Sequence, residues 1–305
     1  MDLSIVIVNW NTRDLLLQCL SSVYETVHTL RFEVWLVDNA SSDNSVAAAM
    51  ERFPQVQLIQ NSSNLGFAKA NNRALRRIQG RYALLLNSDA TLTEGAVQEL
   101  FLFMEKTPDA AMACGQLLNL DGTKQNSIAN FPSAALLLTN ETLLRILFPK
   151  TYPSKRRRYE SPVEIESCIG ACMMVRKSAM DAIGLLDERY FFFFEETDWA
   201  YRMRKGGWKV FFVPHARIFH AQGRSVGHNA LSRQLYYRSQ YQYFKKWFPK
   251  GYPLMHAAIF LRLLINILLT GIGVGLTACR IPELKRRLIV YLKILTWHLR
   301  GCPGP

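Results

Sequence analysis

Acid is almost missing from the last quarter of this chain. Residues 231–305 contain twelve Lys and Arg but a single carboxylate, Glu283, whereas the first 230 residues hold 25 basic and 23 acidic side chains. The net charge of +13 on 305 residues therefore describes a nearly neutral body followed by a basic tail. The tail's cations are not interleaved with Ser, Gly or Asn, as they would be on a nucleic-acid-binding surface. Its cations alternate with long apolar stretches, which fits a membrane surface and argues against nucleic acid as partner. The six cysteines (Cys19, Cys114, Cys168, Cys172, Cys279, Cys302) include no C-x-x-C pair and no dense framework. Buried free thiols in a reducing compartment are expected, and nothing near Cys168 and Cys172 completes a zinc set. Met1-Asp2-Leu3-Ser4 enters a β-branched stretch with no basic n-region or cleavage site, so no secretory signal is expected. Internal repeats and low-complexity tracts are also absent, and 49% hydrophobic content excludes a disordered chain.

What is present in the first hundred residues is an alternation of short apolar runs and helix-length patterns. The runs are Ser4–Val8, Glu33–Val37, Val56–Ile59 and Tyr82–Leu86; the helical patterns cover 15–27, 45–53 and 68–78. Continuous apolar strands separated by helices predict a mainly parallel sheet covered on both faces. A helix near 94–105 and a strand near 111–118 follow. Residues 120–166, with mixed periodicity and the run Lys155-Arg156-Arg157-Arg158, read as an insertion or lid. Order returns at Cys168–Val175, a helix begins near Lys177, and two short strands, Lys209–Val213 and Arg217–His220, close the body. The tail divides into three helical pieces: 232–247, 254–279 and 282–299. The middle piece has 17 uncharged residues from Leu263 to Cys279, at the short edge of the ~17–25 needed to span a bilayer. An in-plane amphipathic hairpin is favoured over a span.

The polar residues sit at the strand tips, where parallel α/β sheets bind ligands. Asp38, after Trp35-Leu36-Val37, suits the imide N–H of a uracil or thymine ring or a ribose hydroxyl; taken alone it reads rather as a cap for the next helix. Asn87-Ser88-Asp89 places a carboxylate where Mg²⁺ or Mn²⁺ could bridge the phosphates of a nucleoside diphosphate, or is simply a turn. Glu195-Glu196-Thr197-Asp198 follows Tyr190-Phe191-Phe192-Phe193-Phe194, an aromatic run that lowers the local dielectric and raises a carboxylate toward a useful base. The alternative is a solvated acidic helix start. His220, followed by Gly223-Arg224-Ser225, could add a metal ligand and a phosphate clamp.

Taken together, Ser4–Asn11, Val37–Ser41, Asn64-Leu65-Gly66-Phe67-Ala68, Leu86–Asp89, Gly170-Ala171-Cys172 and Glu195–Trp199 resemble the family 2 inverting glycosyltransferases of the GT-A fold, especially the bacterial rhamnosyltransferase-like branch. The resemblance covers about residues 3–225. It implies a GT-A domain over 1–230, Rossmann-like with a mainly parallel sheet and helices on both faces, and a helical, basic, membrane-associating extension over 231–305. It also implies a nucleotide-sugar donor held by Asn9, Asn11, Asp38, Asn39, Asn64, Asn72, Ser88, Arg224 and Ser225. A divalent metal, Mg²⁺ or Mn²⁺, would sit on Asp89 and His220. Glu196 would be the catalytic base, with Glu195 and Asp198 orienting acceptor or sugar. Two departures stand out: the usual D-x-D motif is Asn87-Ser88-Asp89, and Glu196 occupies a position that often holds Asp.

The expected activity is transfer of a sugar from dTDP-rhamnose or a UDP-hexose to a glycan or lipid-linked acceptor during cell-surface polysaccharide synthesis. The expected location is the cytoplasmic face of the inner or plasma membrane, attached peripherally to anionic lipid. The rival is a membrane-bound nucleotide-sugar or glycan-binding protein of weak catalysis; the intact acidic box and His220 weigh against it. A sugar-nucleotide pyrophosphorylase would need a Gly-rich loop after the first strand, where Asn9-Trp10-Asn11-Thr12 stands instead. A dinucleotide oxidoreductase would need a complete G-x-G-x-x-G, which Gly271–Gly275 does not supply. The oligomeric state is not legible.

Overall fold

The computed structural model describes residues 1–133, 144, 146–148, 158–221, 230–277 and 280–302. The chain forms two compact units. Met1–Phe131 with Pro153–Ser225 make up the first, and Pro132–Tyr152 with Val226–Pro305 the second. Part of the expected insertion at 120–166, namely 134–143, 145 and 149–157 with Lys155–Arg157 among them, lies outside the described residues.

The first unit is built on a mixed sheet of nine strands in the order β3-β2-β1-β4-β10-β6-β11-β5, with β8 on the free side of β11. Four of these strands form a parallel core: β1 (Leu3–Asn9), β2 (Phe32–Asp38), β3 (Gln57–Gln60) and β4 (Tyr82–Asn87). β6 (Ala110–Leu118) and β11 (Lys209–His220) run parallel to each other, with β10 (Cys172–Arg176) antiparallel between β4 and β6. β5 (Ala90–Leu92) and β8 (Val163–Ile165) pair antiparallel with β11. β7 (Ile128–Ala129) and β9 (Ser167–Cys168) form a separate ribbon.

Side chains alternate across the central strands, so each strand contributes to two cores. Leu3, Ile5 and Ile7 join one face with α1 (Arg13–Thr26), α2 (Ser45–Arg52) and α4 (Ala96–Lys106). Val6, Val37 and Leu85 join the other with α3 (Phe67–Leu75), α5 (Lys177–Ile183) and α6 (Glu195–Lys205). Burial on both faces explains why the strands read as unbroken apolar runs rather than as alternation. Cys19, Cys114, Cys168 and Cys172 are free and buried in these cores, and Cys302 is free and half-buried; Cys279 lies outside the described residues.

The structure differs from the sequence expectation at several strands, β7 and β8 within the expected insertion among them. The stretch 209–220 is one strand, not two. Pro214 sits at a register shift between Val213 and Arg217, where its missing N–H leaves no ladder bond broken. β5 was not anticipated at all. At the same irregularity Gly115 of β6 lies so close to the β11 backbone that a Cβ there would fall 2.3 Å from the Ala216 carbonyl oxygen.

The second unit contains α7 (Ala230–Trp247), α8 (Tyr252–Leu276) and α9 (Pro282–Leu299). The Tyr241 hydroxyl donates to His298 Nε2 at 2.6 Å, and His298 Nδ1 donates to the Ile294 carbonyl at 2.9 Å, a buried polar tie between α7 and α9. α8 is the one helix among the described residues long and apolar enough to cross a membrane. Leu261, Leu264, Ile265, Leu268, Leu269 and Ile272 on it are exposed. An apolar surface of this extent is unusual for a solvated helix face.

Gly115→Ala is expected to destabilise the first unit by about 1–3 kcal/mol, because the new methyl must displace backbone. Denaturant unfolding followed by circular dichroism checks this; an unchanged midpoint would refute the close approach.

Candidate active site

The site begins where β1, β2 and β4 end together. Parallel pairing sets Asn9 opposite Asp38 and Val8 opposite Asn87. The Asn9 amide donates to Asp38 Oδ1 (3.0 Å) and to Ser41 Oγ (3.0 Å). Thr12 Oγ1 donates to Asn9 Oδ1 (2.8 Å) and lies 2.8 Å from Ser88 Oγ. Ser41 N–H donates to Asp38 Oδ2 at 2.9 Å, closing the turn after β2. Asn11, exposed and at φ 52°, accepts from the Ser42 N–H at 2.7 Å. Asp38 thus has each carboxylate oxygen hydrogen-bonded once. An ionised carboxylate offers about four lone-pair directions, so acceptor capacity remains for a ligand.

Asn39, Asn64 and Asn72, expected at the donor, also make bonds within the protein. Asn39 donates to the Gly66 carbonyl (3.2 Å) and accepts from Asn61 Nδ2 (2.7 Å), holding the loop that leads to α3. Asn64 Oδ1 accepts from Gly66 N–H at 2.9 Å. Gly66 takes φ +78°, and a Cβ on it would lie 2.3 Å from the Phe191 carbonyl oxygen, which in turn accepts from Phe67 N–H. Asn72 is buried, with its amide donating to the Leu186 carbonyl (2.8 Å) and Glu188 Oε1 (3.0 Å). Both of its donor hydrogens are committed within the protein, so its place is to pin α3 to the 185–188 loop rather than to reach a donor. Arg224 and Ser225 lie outside the described residues.

Asp89 and His220 are brought together by β5. Ala90 pairs with His220 on β11, the Ala221 N–H donates to the Asp89 carbonyl (2.9 Å), and Asp89 Oδ1 stands 3.4 Å from His220 Nε2. Gln125, which sequence patterning did not single out, fixes the ring. Its Nε2 donates to the His220 carbonyl (2.6 Å), which turns its Oε1 toward His220 Nδ1 (3.0 Å). Both of those oxygens are acceptors only, so Nδ1 carries the proton. A divalent cation bound here would meet one carboxylate oxygen of Asp89 and the Nε2 of His220, a donor pair that suits Mg²⁺ or Mn²⁺. No cluster of three or more His, Cys, Asp or Glu side chains able to hold a metal occurs among the described residues, so further ligands would come from substrate and water.

The acidic box enters through a strained turn. Phe193 and Phe194 both take φ 71°, a conformation uncommon outside glycine, and α6 begins immediately after them. Its three acids diverge. Asp198 is 0% exposed and ion-paired with Arg202 Nε at 3.0 Å, while Arg202 also donates to the Ile183 and Leu185 carbonyls. The Tyr190 hydroxyl donates to Asp198 Oδ1 at 3.3 Å. The expectation that Asp198 orients sugar or acceptor therefore meets a side chain turned into the core, where it braces the helix. Glu195 is 4% exposed, and its Oε2 is buried without a hydrogen-bond partner. Glu196 is half-buried beside Gly170, whose missing side chain leaves the space next to the carboxyl open; a Cβ there would touch Glu196 Cγ at 3.7 Å. Burial pushes the Glu196 carboxyl up to about 7. Glu195 is raised well above the usual range, first by burial and then by the charge of Glu196. Because the Asn87 N–H donates to the Ala171 carbonyl (2.9 Å), Gly170 and its neighbour Glu196 adjoin the β4 tip that carries Asp89.

The sequence matches glycosyl transferase family 2 over residues 4–184, more than half of the chain. The chain belongs to that family. N-Acetylglucosaminyl-diphospho-decaprenol L-rhamnosyltransferase of Mycobacterium tuberculosis is 28% identical over 214 residues, covering 65% of this chain and 69% of that protein. A low-salt glycan biosynthesis hexosyltransferase of Haloferax volcanii is 24% identical over 245 residues, 79% of this chain and 71% of the relative. Among solved structures, a mannosyltransferase of Pyrobaculum calidifontis in complex with GDP-Man and Mn²⁺ superposes with a TM-score of 0.58 at 16% identity, covering 97% of this chain and 87% of its own. GalNAc-T7 with UDP, GalNAc and Mn²⁺ gives a TM-score of 0.59 at 16% identity, covering 84% and 51%. These likenesses establish the GT-A fold for this family 2 glycosyltransferase, whose relatives act in cell-surface glycan synthesis.

Arg202→Met should unfold the protein more easily by about 3–5 kcal/mol, since it leaves Asp198 charged and buried without its partner. Thermal and denaturant melts read this; wild-type stability in the variant would show that Asp198 does not depend on the pair.

Proposed function

We propose that this family 2 glycosyltransferase is an inverting enzyme. It transfers a sugar from dTDP-rhamnose, or secondarily a UDP-hexose, to a hydroxyl of a lipid-linked glycan at the cytoplasmic face of the membrane. The observation that carries the reading is Glu196, half-buried, opposite Gly170 and next to the β4 tip, with its pKa near 7. The sugar and the lipid-linked acceptor are suggested by the mycobacterial relative.

In this reading Asp38, steadied by Asn9 and Ser41, accepts from the base or ribose of the nucleotide, with Asn11 and Asn64 at the rim and Ser88 beside them. Glu196 removes the proton of the acceptor hydroxyl. That oxygen forms a bond to the anomeric carbon as the bond to the diphosphate breaks, and the electron pair leaves with the nucleoside diphosphate. A single displacement inverts the anomeric centre. Glu195 keeps its proton and so prevents a second negative charge beside the base. Asp89 and His220, held by Gln125, would carry a divalent cation that offsets charge on the departing diphosphate. Arg224 and Ser225 belong to the same diphosphate end by resemblance alone. The transferase reading assigns these roles to residues 1–230, and assigns peripheral membrane attachment to the basic and apolar segment 231–305.

Glu196→Gln is expected to lower turnover by about 10²–10⁴-fold while donor binding, read as thermal stabilisation by dTDP- and UDP-sugars, persists. The wild-type rate should rise as pH increases through about 7, because the base works only when ionised, and the variant should lose that rise. Retained turnover in the variant, or a flat wild-type profile, would remove Glu196 as base. Gln125→Leu should weaken Mn²⁺ binding by about 10–100-fold, measured by electron paramagnetic resonance. Unaltered affinity would sever the Gln125–His220 contact from metal binding.

A further inference from the structure

Outside the sheet, one cavity of about 420 Å³ lies in the helical unit. α9 presents Lys285, Ile289 and Lys293 to it at intervals of four, with Arg286 and Val290 one position further round, facing Ala230 at the start of α7. This spacing puts three cations and two branched apolar side chains on one helix face. The single acid of the last 75 residues is spent elsewhere, since Glu283 pairs with Arg287 at 3.0 Å and Arg287 does not line the cavity. Among the described residues, none of the three lining cations has an acidic partner within ion-pair distance.

We propose that this groove binds the diphosphate of an amphiphile, with the first carbons of its apolar chain on Ile289 and Val290. This rests on the lipid-linked acceptor reading and gives that acceptor a second point of attachment, remote in sequence from the transferase motifs. Charge decides between phosphate types. A phosphodiester headgroup brings about one negative charge and a diphosphate diester about two, so the diphosphate better matches three unpaired cations. Arg286 supplies a planar fork for two phosphate oxygens, and the lysines supply point charges on flexible stems. The apolar lining decides against a free anion, because inorganic diphosphate would leave Ile289, 46% exposed, in water. A prenyl chain covers it and continues onto exposed Leu292.

The test uses the full chain in neutral detergent and farnesyl diphosphate as probe, with inorganic diphosphate and phosphatidylglycerol vesicles as comparators. Lys285→Gln/Lys293→Gln removes two groove charges; Arg287→Gln/Arg300→Gln removes two from the same helical segment outside the groove. Circular dichroism confirms that each variant is helical. Farnesyl diphosphate should bind at least about tenfold more tightly than inorganic diphosphate. The groove variant should lose about tenfold or more, and the control variant less than about twofold. Equal losses in both variants, or equal affinity for inorganic diphosphate, would overturn the groove. So would a loss of vesicle binding in the groove variant as large as its loss of farnesyl diphosphate. Farnesyl diphosphate binding of the expected pattern, with no sugar transferred to any lipid-linked acceptor, would uphold the groove and reject the acceptor reading. Transfer with an unchanged acceptor KM in the groove variant would reject the groove and leave the transferase intact.

Discussion

Asn9 stands opposite Asp38, and Val8 opposite Asn87, because β1 pairs in parallel with both neighbours. That register brings three strand tips to one level, and the rest of the site is fastened to it. Asn9 and Thr12 hydrogen-bond laterally to Asp38 and Ser88, so the tips behave as one rigid edge rather than as three loops. A slip of one residue in β1 would send Asn9 to the opposite face and exchange its two cores. The chain is protected from such a slip because Leu3, Ile5 and Ile7 on one face and Val6 on the other are fully buried.

The strands and the tip residues were legible because a doubly covered parallel sheet writes itself as apolar runs ending in polar residues. Short antiparallel pairing leaves no comparable trace. Ala90-Thr91-Leu92 has no distinctive composition, yet its three pairs with β11 are what set Asp89 beside His220. Gln125 is equally silent, since one amide in a polar stretch has no periodicity to betray it. The acidic box was legible as chemistry but not as direction. Successive helical residues are turned by about 100°, so Glu195, Glu196 and Asp198 point three ways, and only the packed structure shows which meets Arg202 and which meets the space left by Gly170. Asn39 at the β2 tip and Asn72 on α3 show the opposite limit: a buried asparagine beside a strand edge can serve the scaffold as readily as a ligand.

The two units solve different electrostatic problems. The first unit is close to neutral overall and buries a few carboxylates, among them Asp198 paired with Arg202 and Asp89 beside His220. The helical unit has almost no carboxylate and leaves its cations on the surface beside apolar side chains. On the proposed reading such a face would meet an apolar and anionic surface together, each cation near an anionic leaflet contributing about 1 kcal/mol.

Gly170 and the strained phenylalanines leave Glu196 both accessible and partly desolvated, and on the proposed reading this couples the stability of the protein to its work. The folded-state pKa of about 7 lies above the ordinary value of 4.5, so the native chain binds a proton in this interval that the unfolded chain has released. The stability contributed by that proton is complete below about 4.5 and is lost as pH rises through about 7. Ionisation is also what a base requires. On the proposed reading, with Glu196 as base, the pH at which it becomes competent is the pH by which that contribution has been lost, so α6 then relies on its other contacts, the Asp198–Arg202 pair among them.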